Sequence, residues 1–119
     1  MLSFNVIVEN TIFLIPILTG FIFAVAGLII FKYPPKSINY LYGYRTSSSM
    51  KSQERWNFAQ VYSAKKLIQS GFVLMFIALA GCFYSFPGAF GVIASLLLMV
   101  VCVAFMVVKT EKELRIRFK

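Results

Sequence analysis

Histidine is absent from this 119-residue sequence, and acidic residues are scarce, with four Asp and Glu against twelve Lys and Arg. Without imidazole, the chain lacks the side chain that most often acts as an acid or base near neutral pH, and also the commonest metal ligand. Charged residues make up 13% of the chain, whereas soluble domains carry about 25%. The composition disfavours serine, cysteine and zinc hydrolases, and it predicts an integral membrane protein with no catalytic residues, metal ion or other cofactor.

Three apolar runs without Asp, Glu, Lys or Arg are long enough to cross a bilayer, which takes about 20 residues per helix. They cover residues 11–31, 67–86 and 89–108. We therefore expect one all-α membrane domain over residues 1–119, with three transmembrane helices. A loop with a juxtamembrane helix occupies 32–66, and a tail occupies 109–119. Pro87-Gly88 predicts a tight turn that makes the second and third helices an antiparallel hairpin.

The distribution of basic residues gives the chain a direction across the membrane. No Lys or Arg precedes the first apolar run, seven lie between the first and second runs, and five follow the third. Three crossings place both basic segments on the same side, which the positive-inside rule identifies as the cytoplasm. The N-terminus is thus predicted outside and the C-terminus inside, and the basic segments are expected to touch anionic lipid headgroups.

Small residues recur four positions apart in each apolar run, a spacing that is typical of close helix packing in lipid. The residues are Gly20 with Ala24 and then Gly27 in the first run, Ala78 with Cys82 in the second, and Gly91 with Ser95 in the third. The same faces make a homo-oligomer a candidate assembly. Pro16 is expected either to kink the first helix or to mark its start. Cys82 and Cys102 should differ in height by ~15 Å, too far apart for a disulfide.

The segment 32–66 contains five of the six tyrosines and the only tryptophan, so it is rich in aromatic residues as well as charge. The proline pair at 34–35 ends the first helix, because proline cannot continue it. Ser49 and Ser52 are both suitable N-caps for a helix that begins near Gln53. Nothing in the sequence breaks that helix before the second apolar run.

One face of this helix carries mostly small residues beside the tryptophan. With Trp56 at 0° on a helical wheel, Ala59, Ser63, Leu67 and Ser70 fall within ~80° of arc. We expect this face to lie close against another backbone, with Trp56 as its anchor.

The loop is equipped to bind an anion rather than to break bonds. Arg45 offers a planar fork of donors, Lys51 a point charge, the serines hydroxyl groups, and the helix start its N–H groups. A phosphate or carboxylate is one candidate ligand. The alternative is that these charges only set topology and touch anionic lipid. No nucleotide-binding or nucleic-acid-binding motif accompanies them, so no nucleic-acid partner is predicted.

A combination of short motifs in the loop points to a known family. The motifs are PPKSIN at 34–39, YGYRT at 42–46, SMK at 49–51, and Trp56 with Ala59. With them the sequence resembles the SdpI/YfhL family of bacterial membrane proteins over roughly residues 30–66. The chain has Ser52-Gln53 where the family has Asn-Pro, and Ser47 where it has Pro. Both changes keep a helix start, because Ser caps well and Gln is a good helix former.

The resemblance implies a protein of the bacterial inner membrane, related to immunity factors that protect a toxin-producing cell from its own secreted antimicrobial peptide. A peptide toxin is therefore a candidate partner. The best-known family member has additional spans and holds a transcriptional repressor at the membrane, which makes a cytoplasmic regulator a further candidate. The candidate binding residues are Asn39, Tyr42, Gly43, Tyr44, Arg45, Thr46, Ser49, Met50, Lys51 and Trp56.

Three other functional classes compete with a non-enzymatic immunity or resistance protein. A small oligomeric transporter or channel subunit is compatible with three spans, although such proteins usually carry intramembrane charges and these spans have none. An anionic-lipid-binding protein, or an enzyme that modifies lipid, would use Arg45 and Lys51 to hold a phosphate. An enzyme also needs a nucleophile or general base with an activating partner, and Glu54 lies roughly 160° from Trp56 on the wheel.

Overall fold

The computed structural model describes residues 10–83 and 88–118. The helices in these residues are α1 (Thr11–Lys32), α2 (Gln53–Gly81) and α3 (Gly88–Arg117). Each is long and apolar enough to cross a membrane, and the other described residues form turns and irregular segments. The described part of the chain confirms the predicted all-α membrane architecture. Pro87, on which the predicted turn depends, lies outside the described residues.

The second and third helices are longer than the apolar runs that predicted them. The N-cap of α2 is Ser52, whose Oγ accepts a hydrogen bond from the Arg55 N–H at 3.1 Å. From there the juxtamembrane helix and the second span form one helix of 29 residues. α3 continues past residue 108 because the following residues are mostly good helix formers. Arg117 and Glu113 pair one turn apart at 3.5 Å and support its last turn.

The three helices alternate in direction. At one end of the molecule, the Asn10 Nδ2 before α1 donates to the Gly81 carbonyl at the end of α2, at 2.9 Å. At the same end, Ser95 Oγ near the start of α3 donates to the Thr11 carbonyl at 3.3 Å. α1 and α3 are therefore parallel, and α2 is antiparallel to both. The loop 33–52 and the last turns of α3 share the other end, which is called the loop end below.

α1 and α2 cross so closely at three glycines that a side chain at any of these positions would collide with the other helix. A Cβ on Gly20 would lie 2.6 Å from the Gly71 carbonyl oxygen, and one on Gly71 would lie 2.6 Å from the Ala24 nitrogen. Nearer the loop end, a Cβ on Gly27 of α1 would lie 2.9 Å from the Ala64 carbonyl oxygen of α2. These approaches confirm the close packing predicted from the small residues of the first span.

α3 is held at its two ends and exposed between them. Gly91 and Ser95 are buried near its start, and Thr110 and Leu114 are buried near its end. The large apolar side chains exposed between these contacts include Leu96, Leu97, Val100, Val101, Val103 and Phe105. In a bilayer these side chains face lipid, so the exposed surface is compatible with the hydropathy of the helix.

The structure also tests the predictions for Pro16 and for the two cysteines. Pro16 lies inside α1, which begins at Thr11, so the alternative in which it marks the helix start is wrong. Cys82 and Cys102 are not bridged to each other, as their predicted difference in height requires.

Candidate functional site

Two side chains of α2 hold the loop against the helix. Trp56 and Gln60 expose no surface, and they lie one turn apart on the same face. Trp56 Nε1 donates a hydrogen bond of 2.7 Å to the Pro35 carbonyl, so the indole ties the proline pair to α2. Ala59 and Ser63 on the same face are also buried. The helical wheel therefore identified the buried face and its anchor.

Gln60 pairs with the backbone of the loop at two points. Its Oε1 accepts from the Tyr44 N–H at 2.6 Å, and its Nε2 donates to the Tyr44 carbonyl at 2.8 Å. The preceding Gly43 has φ +106°, a left-handed conformation that favours glycine. A Cβ on Gly43 would also collide with the Gln60 side chain and lie 2.7 Å from Pro35 Cγ. Gly43 and Gln60 together therefore fix the position of this segment of the loop against α2.

A compact turn follows Tyr44. Ser49 Oγ accepts from the Thr46 N–H at 2.9 Å, and the Ser49 N–H donates to Thr46 Oγ1 at 3.1 Å. Ser49 Oγ also lies within donating distance of the Tyr44 carbonyl, at 3.2 Å. Ser49 is fully buried and therefore stabilises this turn, whereas Ser52 caps the helix.

A second turn organises the first half of the loop. Asn39 Oδ1 accepts from the backbone N–H groups of Leu41 and Tyr42, at 2.9 and 2.7 Å. This is the local pattern by which an asparagine side chain imitates a backbone turn. The Tyr42 hydroxyl donates to the Tyr33 carbonyl at 2.8 Å, which connects the turn to the end of α1.

The phenol of Tyr44 connects the loop to α3. Its hydroxyl donates to Glu111 Oε1 at 3.0 Å, and the side chain is buried beside Ala59 and Leu114. Burial raises the pKa of Tyr44 well above its usual value, and the neighbouring carboxylate of Glu111 raises it further. Tyr44 is therefore a neutral hydrogen-bond donor at every physiological pH.

A second connection to α3 starts at Arg55. Its NH2 group donates to the Phe118 carbonyl at 2.5 Å, and its NH1 group donates to Ser48 Oγ at 3.2 Å. The guanidinium also lies 5.5 Å from the centre of the Phe118 ring. One side chain of α2 thus contacts both the loop and the end of α3.

The loop and the three helices line an open cavity of about 300 Å³, called the loop cavity below. Ile30 of α1, Leu67 of α2 and Met106 of α3 contribute apolar walls. The loop contributes Arg45 and Thr46 at the polar side. This combination suits an amphipathic group with a polar or anionic end. Among the residues that the structure describes, no cluster of Cys, Asp or Glu could hold a metal ion.

The predicted site residues fall into two groups. Asn39, Tyr42, Gly43, Tyr44, Thr46, Ser49 and Trp56 hold the loop in place. Arg45 and Lys51 are exposed, and Met50 is half-buried. Arg45 belongs to the loop cavity and lies 5.5 Å from the Tyr40 ring, whereas Lys51 is not among the cavity residues. Of the two cations predicted to bind an anion, Arg45 is the one placed beside a cavity.

Sequence reasoning missed Gln60, Arg55 and Glu111. Gln60 had a local signal, because it is a polar residue one turn after Trp56 on a face of small residues. Arg55 and Glu111 had none, since their partners Phe118 and Tyr44 are 63 and 67 positions away in the chain.

Comparison with known proteins agrees with the motifs. The model of the SdpI/YfhL protein family matches residues 36–109, a range that begins in the loop and ends near the end of α3. A protein of Bacillus subtilis (strain 168), named uncharacterized protein YfhL, is 42% identical over 98 residues. The match covers 82% of this chain and 83% of the relative. No solved structure matches the chain.

Proposed function

Because the chain belongs to the SdpI/YfhL protein family, we propose that it is a non-enzymatic immunity or resistance protein of the bacterial cytoplasmic membrane. It would protect the cell against a secreted antimicrobial peptide or a related envelope stress. The family relationship supports the class of function, and the structure supports a role for the loop.

The observation that carries the proposal is the way in which the motif segment is built. Trp56, Gln60 and Ser49 are fully buried polar or amphipathic side chains, and each uses its polar atoms to fix a loop carbonyl or N–H. A connection that only joined two spans would not need this framework, because loops usually satisfy their backbone groups with water. The framework has one functional consequence, which is to present Arg45 and Thr46 beside the loop cavity.

Arg45 is the residue of the loop that we assign to partner contact. It is exposed, it lies over the Tyr40 ring at 5.5 Å, and no carboxylate pairs with it among the described residues. A guanidinium in such a position can bind a carboxylate or phosphate through two parallel hydrogen bonds. Its removal should leave the framework intact, since the buried contacts of the loop do not involve its side chain.

The proposed orientation places the loop end in the cytoplasm. Both basic segments of the chain lie at this end, because the loop contacts the last turns of α3 through Tyr44 and Arg55. The positive-inside rule then assigns the end to the cytoplasm. A toxin arriving from outside would meet the opposite end and the lipid-facing helices first. The loop would act from the inner side, on the toxin after insertion or on a cytoplasmic regulator.

The chemistry of the loop cavity supports the proposed non-enzymatic role. Its polar groups are hydroxyls, the Tyr44 phenol and the Arg45 guanidinium. General acid–base and nucleophilic catalysis both need a group whose pKa or partner activates it at neutral pH. Tyr44 is shifted the wrong way for that role, because burial stabilises its neutral form. The cavity is therefore suited to binding.

The experiment is survival of a sensitive bacterial host that expresses the chain, challenged with a panel of membrane-active peptides and envelope stresses. Arg45→Ala should reduce survival toward that of the empty vector at matched abundance in the membrane. Arg115→Ala is the control, because Arg115 is an exposed arginine at the same end of the molecule outside the loop. Equal survival of Arg45→Ala and the original chain would remove the guanidinium from the mechanism.

Absence of protection by the original chain, against every peptide tested, would contradict the proposed function as a whole. Ion flux in proteoliposomes would then test the transporter or channel alternative directly. Quantifying the chain in the host membrane distinguishes a lack of protection from a lack of protein.

A further inference from the structure

A groove on the outer surface of the helix bundle combines cations with aromatic rings. It lies between α2 and the last turns of α3 and has a volume of about 570 Å³. Its residues include Phe58, Tyr62, Lys65, Lys66, Gln69 and Arg117, and it is called the basic groove below. The groove is separate from the loop cavity, and none of its residues belongs to the family motifs of the loop.

The cations of the basic groove are only partly neutralised. Arg117 pairs with Glu113 at 3.5 Å, and its guanidinium lies 4.7 Å from the Phe58 ring centre. Within the described residues, Lys65 and Lys66 have no carboxylate within 4.0 Å. The Lys66 ammonium lies 5.4 Å from the Tyr62 ring centre and 3.4 Å from Gln69 Oε1. The groove therefore presents net positive charge on a surface of aromatic rings.

A second groove continues from the first along the apolar part of the helices. It has a volume of about 300 Å³, and it is called the apolar groove below. Its residues are Gln69, Ser70, Val73, Val101, Cys102 and Phe105. Gln69 belongs to both grooves, and the Lys66 ammonium lies 6.0 Å from the Phe105 ring centre. The two grooves therefore form one path that leads from cations to hydrocarbon-like walls.

The position of the lysines matches the boundary of a membrane. Lys66 is followed directly by the apolar run that begins at Leu67. Long basic side chains at such a boundary extend their charge into the headgroup layer and keep their stems against apolar surface. The basic groove then lies at headgroup depth, and the apolar groove lies at the depth of the acyl chains.

The ligand chemistry follows from charge, depth and shape together. A soluble phosphate would satisfy the lysines and leave the apolar groove uncovered. A zwitterionic phospholipid would bring a positive group against three cations. A phospholipid with net negative charge satisfies both parts, and basic pockets between transmembrane helices are known to select such headgroups.

We propose that the groove between α2 and α3 binds one anionic phospholipid of the leaflet at the loop end. Lys65, Lys66 and Arg117 hold its phosphate, and one acyl chain lies along Val73, Val101 and Phe105. The rings of Tyr62 and Phe58 lie beside Lys66 and Arg117, and the Lys65 ammonium lies 5.9 Å from the centre of the Phe31 ring of α1. The proposal depends on membrane insertion and not on the immunity function, so either can fail without the other.

The test is native mass spectrometry of the full chain in detergent, titrated with dioleoyl phosphatidylglycerol or dioleoyl phosphatidylcholine. The original chain should retain phosphatidylglycerol preferentially. The double variant K65Q/K66Q should weaken apparent affinity for phosphatidylglycerol roughly tenfold or more, the order expected for two interfacial cations. Restoring the charge with K65R/K66R should recover most of the binding.

The matched control for charge is K112Q/R115Q. Lys112 and Arg115 are exposed on the same end of α3, and neither belongs to the basic groove. This variant also loses two positive charges, but it should keep its preference for phosphatidylglycerol. An equal loss in both double variants, or an unchanged preference in K65Q/K66Q, would overturn the proposal.

A second pair of variants tests the acyl chain. Val101→Trp fills the apolar groove, whereas Val100→Trp adds the same bulk at a neighbouring exposed position outside it. Only Val101→Trp should reduce retention of phosphatidylglycerol. Soluble glycerol phosphate should not displace the lipid, and displacement would mean that the groove binds a free phosphate instead. A dimer that excludes phosphatidylglycerol would mean that a second copy of the chain covers the groove.

Discussion

The side-chain amide of Gln60 forms hydrogen bonds to both backbone polar groups of Tyr44, at 2.6 Å to its N–H and 2.8 Å to its carbonyl. Gln60 exposes no surface, so water does not compete for either bond. The pairing fixes the position of one loop residue relative to α2, although the two residues are 16 positions apart. The position of the neighbouring Arg45 and Thr46 beside the loop cavity depends on these two hydrogen bonds.

Gln60→Leu should destabilise the protein by about 1–3 kcal/mol, because it leaves the N–H and the carbonyl of Tyr44 buried without partners. The measurement is thermal unfolding in detergent, followed by the fluorescence of Trp56. The same substitution at Gln69 is the control, since Gln69 is exposed on the same helix. Equal stability of the two variants would show that the paired bonds do not support the fold.

Gly43→Ala should also destabilise the loop, by about 1–3 kcal/mol for the positive φ alone. The added methyl group would in addition meet the Gln60 side chain and Pro35. Ser47→Ala, at an exposed position of the same loop, should have little effect. Unfolding curves of both variants in one detergent make the comparison. A stable Gly43→Ala protein would mean that the loop has a second acceptable conformation.

Alkaline pH should weaken the contact between the loop and α3. The folded protein raises the pKa of Tyr44 above its unfolded value of about 10, so it favours the neutral phenol. This contribution to stability is complete below pH ~10 and is lost as the pH rises through the raised pKa. Tyr44→Phe should therefore show a weaker decrease in unfolding free energy above that pH than the original chain.

The control for the alkaline experiment is Tyr40→Phe. Tyr40 is 80% exposed, and its removal should leave the decrease unchanged. Tyrosinate absorbance provides a second readout, since Tyr44 should ionise at a higher pH in the folded protein than in the unfolded one. Identical pH dependence of Tyr44→Phe and the original chain would contradict the assignment.

Gly71→Ala should disturb the crossing of α1 and α2. Its Cβ would lie 2.6 Å from both the Ala24 nitrogen and the Gly20 carbonyl oxygen, and backbone atoms cannot move aside as a flexible side chain can. Overpacking of this kind typically costs about 1–3 kcal/mol. Ala80→Val, at an exposed position of α2, is the control. Comparable midpoints of unfolding would show that the helices can separate slightly without loss.

The helices were predictable because their signals are local. Apolar runs, the small-residue spacing and the wheel position of Trp56 each depend on residues within a few turns of one another. The start of α2 at Gln53 followed from Ser52 and from the absence of a breaker. The apolar run at 89–108 predicted the third span, but it gave no indication of how far the helix continues beyond residue 108. Thr110 and Leu114 are buried, so one side of the helix still packs against the protein beyond the apolar run.

The candidate site was predictable only in part. The motifs identified most residues of the loop framework, but they did not separate those that hold the loop from the one cation beside its cavity. That distinction depends on contacts between α2, the loop and α3, which no short-range pattern encodes. The hydrogen bonds of Arg55 and Glu111 are examples, since each joins residues more than 60 positions apart. The predicted orientation in the membrane remains a prediction.

The contacts of Glu111 and Phe118 also set an order of events during synthesis. A ribosome makes the chain from its N-terminus, so the loop and the first turn of α2 exist well before their partners in α3 do. Trp56 and Gln60 can hold the loop at that stage, whereas Tyr44 and Arg55 wait for residues 111 and 118. During synthesis the loop can therefore be held by its contacts with α2 alone, and it gains its contacts with α3 only after α3 has been translated.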